Sequence, residues 1–313
     1  MIASWIHSFW FRALLSAAVL AYLLSTLNGR EVWSAVTAVE PWFLLAAIAV
    51  DATTRATMIG RWVVLIRSQG NAISTWSASR IFLVSSFIGT ALPTGGADIA
   101  RAYALTQHTD NGRAAVASVA VDRILGVTAL MLLAIVGLTV TADDAANPLR
   151  IVTAIISALT VITAIAAFFG HSLAMRLLPA QTRQSAFGQW AIDTAENIAL
   201  YRTRYRVLAI VFIQSLVVQG LRIFEVFLLG AGLGLTDDLT YYLAFMPIGL
   251  LAFMLPVSIA GIGVPQGVVV WLLQPLGISG AESFALSTLI VVLGVFCTLP
   301  GLFLYLRNRS RFG

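Results

Sequence analysis

The sequence predicts an all-α protein that crosses a membrane several times, and three observations carry that expectation. Hydrophobic side chains make up 59% of the 313 residues and charged ones only 11%, against roughly 45–50% and 25% in an ordinary soluble domain. Apolar runs of helix length recur from end to end, and a run of about 20 such residues crosses a hydrocarbon core. Charge gathers where the runs end, apart from a few groups inside them. A soluble fold of this composition would lack the polar surface to cover itself. The whole of 1–313 therefore reads as one transmembrane domain.

The first run, about residues 11–27, follows Arg12 and could be a signal peptide. It has no A-x-A cleavage pattern, and Trp5, Phe9, Trp10 and Phe11 read as an interfacial anchor, so a retained helix is expected. The second helix, about 41–66, opens on Pro41 and contains Asp51, Arg55 and Arg61. Further spans are expected at about 114–140, 150–169, 207–235 and 283–306. Two other apolar stretches are broken. Residues 81–96 are interrupted by Pro93, Gly95 and Gly96, and 241–276 by Pro247, Pro256, Gly261, Gly263 and Pro265. The expected fold has six full spans and two re-entrant segments, or eight hydrophobic crossings if the broken stretches are only kinked.

The net charge of +5 is carried by Arg alone, because the chain has no Lys. A nucleic-acid binder would cluster that charge on hydrophilic segments; here it flanks apolar ones, so no nucleic acid is expected. Loops rich in Arg stay in the cytoplasm. Arg176, Arg183, Arg202, Arg204 and Arg206 mark the 171–206 connection, and Arg307, Arg309 and Arg311 mark the tail. Asp143-Asp144 and Asp237-Asp238 lie in Arg-poor loops. Both termini are then cytoplasmic, provided each broken segment enters and leaves on one side. The second half repeats the first upside down, with halves of about 1–145 and 146–313. Pro93 and Pro256 are separated by nearly the same interval as the starts of helices two and five. Paired, broken segments in inverted halves point to a transporter architecture.

A charge at the bilayer centre costs roughly 2.5–3.5 kcal/mol on the insertion scale, so the interior charges are the functional candidates. Asp51 and Arg55 share a helix face at a four-residue spacing, and Arg222 and Glu225 do so at three, so each pair can neutralise itself. Asp122 and Arg123 are adjacent and point apart; Asp98 and Arg101 are their expected partners. Structural salt bridges are the plain reading. The functional one is a polar cavity that holds a charged headgroup, using Arg61, Asp98, Arg101, Asp122, Arg123, Arg222 and Glu225. Arg suits phosphate because its planar fork binds two oxygens. The breaks at Pro93, Gly95, Gly96, Pro256, Ser258, Gly261 and Gly263 would gate the cavity and let backbone N–H groups approach an anion.

No phosphate loop, metal motif or nucleophile elbow is present. His7, His108 and His171 are scattered, and Cys297 stands alone, so no metal site, cofactor or disulfide framework is expected. The 171–206 connection, with Trp190, Ile192, Ile198 and Leu200 among polar residues, reads as an amphipathic cytoplasmic helix.

Leu92-Pro93-Thr94-Gly95-Gly96-Ala97-Asp98-Ile99-Ala100-Arg101, followed by Asp122-Arg123-Ile124-Leu125-Gly126, resembles the lysylphosphatidylglycerol synthase transmembrane-region family of flippase-like proteins. Arg61-Trp62 and Pro256-Val257-Ser258-Ile259-Ala260-Gly261-Ile262-Gly263 are similar to that family's remaining landmarks, so the resemblance spans nearly the whole chain. It implies a bacterial inner-membrane domain that moves aminoacylated phosphatidylglycerol between leaflets. In bifunctional members the synthase chemistry sits in a separate cytosolic domain, so this chain, which stops at Gly313, is expected to lack it. Gln266 stands where the resemblance leads one to expect an acidic residue, and Asp122 where Glu is more usual. The expected partner is a phosphate-bearing or other anionic or zwitterionic membrane lipid, with a homo-oligomer or a lipid-synthesising enzyme as further companions. The rival expectation is a non-transporting partner of such an enzyme; a membrane-embedded transferase using Asp98 or Asp122 ranks last.

Overall fold

The computed structural model describes residues 29–37, 39–70, 72–92, 95–109, 112–141, 148–169, 186–235, 238–254 and 263–307. Regular structure among them is helical throughout: α1 (Gly29–Thr37), α2 (Pro41–Ser68), α3 (Thr75–Thr90), α4 (Gly96–Thr106), α5 (Gly112–Val140), α6 (Pro148–Phe169), α7 (Ala186–Leu200), α8 (Tyr205–Gly232), α9 (Leu239–Met254), α10 (Val264–Leu273), α11 (Gly280–Phe296) and α12 (Leu299–Arg307). Five stretches are long and apolar enough to cross a membrane: α2, α5, α6, α8 and α11 running on into α12. They coincide with the second to sixth expected spans. The first, at 11–27, lies outside the described residues.

Local chemistry sets the boundaries. Pro41 occupies the start of α2, where its missing N–H costs nothing. Ser74 caps α3 by accepting from the Ser77 amide at 3.0 Å. The first break falls where expected, between Thr90 and a helix that restarts behind Gly95 at φ 93°. In the second broken stretch the outcome differs. Pro247 lies inside α9 and does not interrupt it, as membrane helices tolerate proline. Among the described residues α9 ends at Met254, and α10 starts behind Gly263, whose φ of 100° suits glycine alone. The last span also departs from expectation: a turn at Cys297-Thr298 separates α11 from α12, because Pro300 in the first turn of α12 cannot donate back into α11.

At the centre lie α2 and α8, packed against each other along their length. They run antiparallel. The Glu40 amide donates to the Gly232 carbonyl at one end, while Arg61 Nη1 donates to Ser215 Oγ at the other. Around them α3 packs on α4, and α9 on α10. Two further contacts cross the molecule: α5 lies against α9, and α12 lies against α3. Within the expected 171–206 connection, α7 packs on α5 and α6. Arg113 and Asp193 tie it to the start of α5 at 3.0 Å. Beyond it Tyr201 is buried and donates to the Leu65 carbonyl at 3.2 Å; burial pushes its phenol up to about 12, so it stays a donor.

Backbones meet closely at these crossings, as small residues allow inside a bilayer. A Cβ on Gly137 would stand 2.4 Å from the Ala244 amide nitrogen, and one on Gly301 would stand 2.1 Å from the Leu83 carbonyl oxygen. Both neighbours are backbone and cannot swing away. Gly137→Ala is therefore expected to destabilise by roughly 1–3 kcal/mol through overpacking, read as a lowered melting point in detergent. Val136→Leu, on the exposed face of the same turn, should melt with the unsubstituted protein.

Candidate functional site

Asp122 sits on α5 and is only 3% exposed. A buried carboxylate needs compensation, and each of its oxygens finds a cation. Arg61 of α2 brings Nε to 2.7 Å from Oδ1, and Arg101 of α4 brings Nη2 to 3.4 Å from Oδ2. Both arginines are themselves buried. Arg61 is further held by Ser215. Arg101 also reaches Asp98 Oδ1 at 2.8 Å, and its guanidinium lies over the rings of Trp62 and Phe82 at 5.1 and 5.2 Å. Cation–π contacts of this kind contribute about 0.5–2 kcal/mol each. The expected partners of the adjacent pair are thus present.

Arg123 takes the other direction. Its Nη1 is 3.4 Å from Asp98 Oδ2, and its Nη2 donates to the Met254 carbonyl at 3.0 Å. Asp98 follows the first break and Met254 precedes the second, so one guanidinium touches both. Carbonyls in the last turn of a helix lack intrahelical donors, and Arg123 satisfies one of them.

These groups border a cavity of about 220 Å³, lined by Arg61, Asp98, Arg101, Asp122, Arg123, Gln219 and Arg222 among others. Gly95 and Ala97, at the start of α4, line it too. Gln219 Nε2 donates to the Gly126 carbonyl at 2.9 Å, and its Oε1 has no donor among the described residues. Arg222 is the exception to the expected pairing. Among the described residues it makes no ion pair within 4.0 Å with Glu225 or any other carboxylate. Its side chain lines the cavity and also a neighbouring one of about 320 Å³ that includes Gly294. Glu225 is buried and feels the charges of Asp51, Arg55 and Arg222. A three-residue spacing puts two side chains on one face but does not force their tips together.

Asp51 and Arg55 do pair, and Arg55 Nη2 also donates to the Gly294 carbonyl at 3.1 Å. At the second break, the Gly263 amide donates to Gln266 Oε1 at 2.6 Å. Gln266 thereby caps the start of α10, a job its amide does without charge. Of the expected gating residues, Gly95, Gly96 and Gly263 stand at the breaks, while Pro93, Pro256, Ser258 and Gly261 lie outside the described residues.

The motif after the first break and the Asp122-Arg123 pair, distant in sequence, converge on a single buried cluster. The family model for the lysylphosphatidylglycerol synthase TM region matches residues 9–301. The chain belongs to that family. No curated protein matches it. In this member of the lysylphosphatidylglycerol synthase transmembrane-region family, the cluster sorts the expected site residues by what they touch. Arg61, Arg101 and Asp122 are committed to one another, whereas Arg123 reaches Asp98 and the Met254 carbonyl, and Arg222 lines the cavity without an ion pair among the described residues. Sequence reasoning passed over Ser215, Gln219 and Phe82. The first two carried a signal: polar side chains four residues apart on the helix that also bears Arg222 and Glu225. Phe82 carried none, being one aromatic among many.

Removing one partner of a buried ion pair typically costs about 3–5 kcal/mol, whereas replacing the pair by apolar side chains is often neutral. Asp122→Leu alone should therefore destabilise by about that amount. Arg61→Met with Asp122→Leu should recover much of the loss. Unfolding of the two single variants and the double variant in detergent gives the coupling.

Proposed function

We propose that the protein moves a phosphate-bearing lipid between leaflets, with the headgroup passing through the polar cavity and the acyl chains outside it. The observation that carries this reading is the cavity's charge. Four guanidinium groups, Arg61, Arg101, Arg123 and Arg222, line it against two carboxylates, Asp98 and Asp122. A surplus of permanent cations in a bilayer is costly unless an anion visits. Guanidinium forks suit phosphate oxygens, and the start of α4 adds backbone N–H groups of the right polarity. Gln219 Oε1 adds an acceptor for a hydroxyl.

An inverted-repeat arrangement supports translocation over simple binding. The contact between α5 and α9 has its counterpart in that between α12 and α3. More locally, Gln219 of α8 reaches the Gly126 carbonyl of α5, and Arg55 of α2 reaches the Gly294 carbonyl of α11. A two-fold relation between halves would generate such a pair of bonds. In this reading the breaks at Gly95 and Gly263 are re-entrant, both termini are cytoplasmic, and the host is a bacterial inner membrane. The chain carries no catalysis of its own.

The experiment is lipid transfer in proteoliposomes, scored by leaflet-resolved quenching of a headgroup-labelled phosphatidylglycerol. Arg222→Ala should slow transfer roughly 10- to 100-fold, the loss of one or two hydrogen bonds to a charged group, with an unchanged melting point. Transfer by Arg222→Ala at the unsubstituted rate would remove the cavity from the pathway. Absence of transfer by the unsubstituted protein would favour a non-transporting partner of a lipid-synthesising enzyme.

A further inference from the structure

Arg123 borders two cavities. Besides the polar one, it lines an apolar groove of about 410 Å³ between α5 and α6, whose walls include Val127, Thr128, Leu159 and Ala164. The two helices run antiparallel. Arg150, near the start of α6, donates to the carbonyls of Leu138 and Thr141 at the end of α5, and Ser157 Oγ meets Met131 Sδ at 3.8 Å. The same register puts Arg123 beside the last turns of α6, at one mouth of the groove. From there the groove runs back along α6 from Ala167 to Ile156, about 16 Å at 1.5 Å per residue. One leaflet contributes about 15 Å of a ~30 Å hydrocarbon core.

A cation therefore stands at the depth where the apolar run of α6 ends, and an apolar slot one leaflet deep extends from it. The charge at the mouth complements a phosphate. Arg123 has spare capacity for one: its side chain is 37% exposed, and Nε makes no hydrogen bond among the described residues. Leu159, on the outer wall, is 59% exposed, so the slot faces sideways. We propose that this groove seats an acyl chain of an anionic phospholipid whose phosphate is held by Arg123. The lipid then enters sideways, headgroup first, from the leaflet at the C-terminal end of α6. This deepens the translocation reading and rests on it for its purpose, while the seat itself answers to a binding measurement.

The test is native mass spectrometry of purified protein equilibrated with micelles holding equal amounts of dioleoyl phosphatidylglycerol and dioleoyl phosphatidylcholine. The unsubstituted protein should retain phosphatidylglycerol preferentially. Ala164→Trp, which fills the groove, should weaken that retention at least about tenfold, as should Thr163→Trp at the exposed rim if the first variant fails to fold. Arg123→Ala should erase the preference for phosphatidylglycerol. Ile162→Trp, exposed on another face of α6, should behave as unsubstituted. Folded groove-filling variants that retain phosphatidylglycerol fully, or an Arg123→Ala variant that keeps the preference, would overturn the seat. Measured beside it, leaflet transfer separates the two readings. Retention as expected without transfer upholds the seat and overturns translocation, whereas normal transfer by a groove-filled variant that has lost retention overturns entry by way of the seat and leaves translocation standing.

Discussion

The structure depends on one buried carboxylate. Asp122 stands between Arg61 and Arg101, and through them it joins α5 to α2 and to α4. Apolar packing between helices is weakly directional in lipid, where tails are as apolar as leucine. A carboxylate with a cation on each oxygen is directional, and in a low dielectric it tolerates little displacement. The Asp122 cluster ties three helices together at one point. Ser215 and the rings of Trp62 and Phe82 then hold the two cations in place.

That arrangement leaves the remaining cations with a different character. Arg123 reaches both helix breaks, and Arg222 faces a cavity with no carboxylate within ion-pair distance among the described residues. The same residue type is thus put to two uses. Where the guanidinium is enclosed by partners it is a strut, and where it faces open volume it is left partly uncompensated. The start of α4, behind a positive-φ glycine, borders the same cavity through Gly95 and Ala97.

Much of this was legible in the sequence because membrane helices obey few constraints. Length and hydropathy placed α2, α5, α6, α8 and the last span, and the Pro/Gly clusters placed both breaks. Intramembrane charge named Asp122 and, of its two partners, Arg101, since so costly a group requires company; Arg61 stood among the candidates without being paired to it. Three things were not legible. Pro247 looked like a breaker, yet α9 runs through it. Arg222 and Glu225 looked like a pair, because spacing reports the face of a helix and not where a long side chain ends. The groove beside Arg123 depends on how α5 and α6 are spaced, which no residue pattern along either helix encodes.

The location of the charge compensation bears on how the chain is made. Arg61, Arg101 and Asp122 all precede α6 in sequence, as do Asp51 and Arg55. The first half can neutralise its most expensive groups while the second is still being synthesised. What arrives later on α8 is Ser215 and Gln219, which bring a hydroxyl and an amide, together with Arg222 and Glu225, which make no ion pair with the early cluster among the described residues. Insertion can thus bring the Asp51 and Asp122 carboxylates into lipid with cations from the same half, and assembly becomes the docking of a second half, with its own Arg222 and Glu225, onto a first one already paired at those two points.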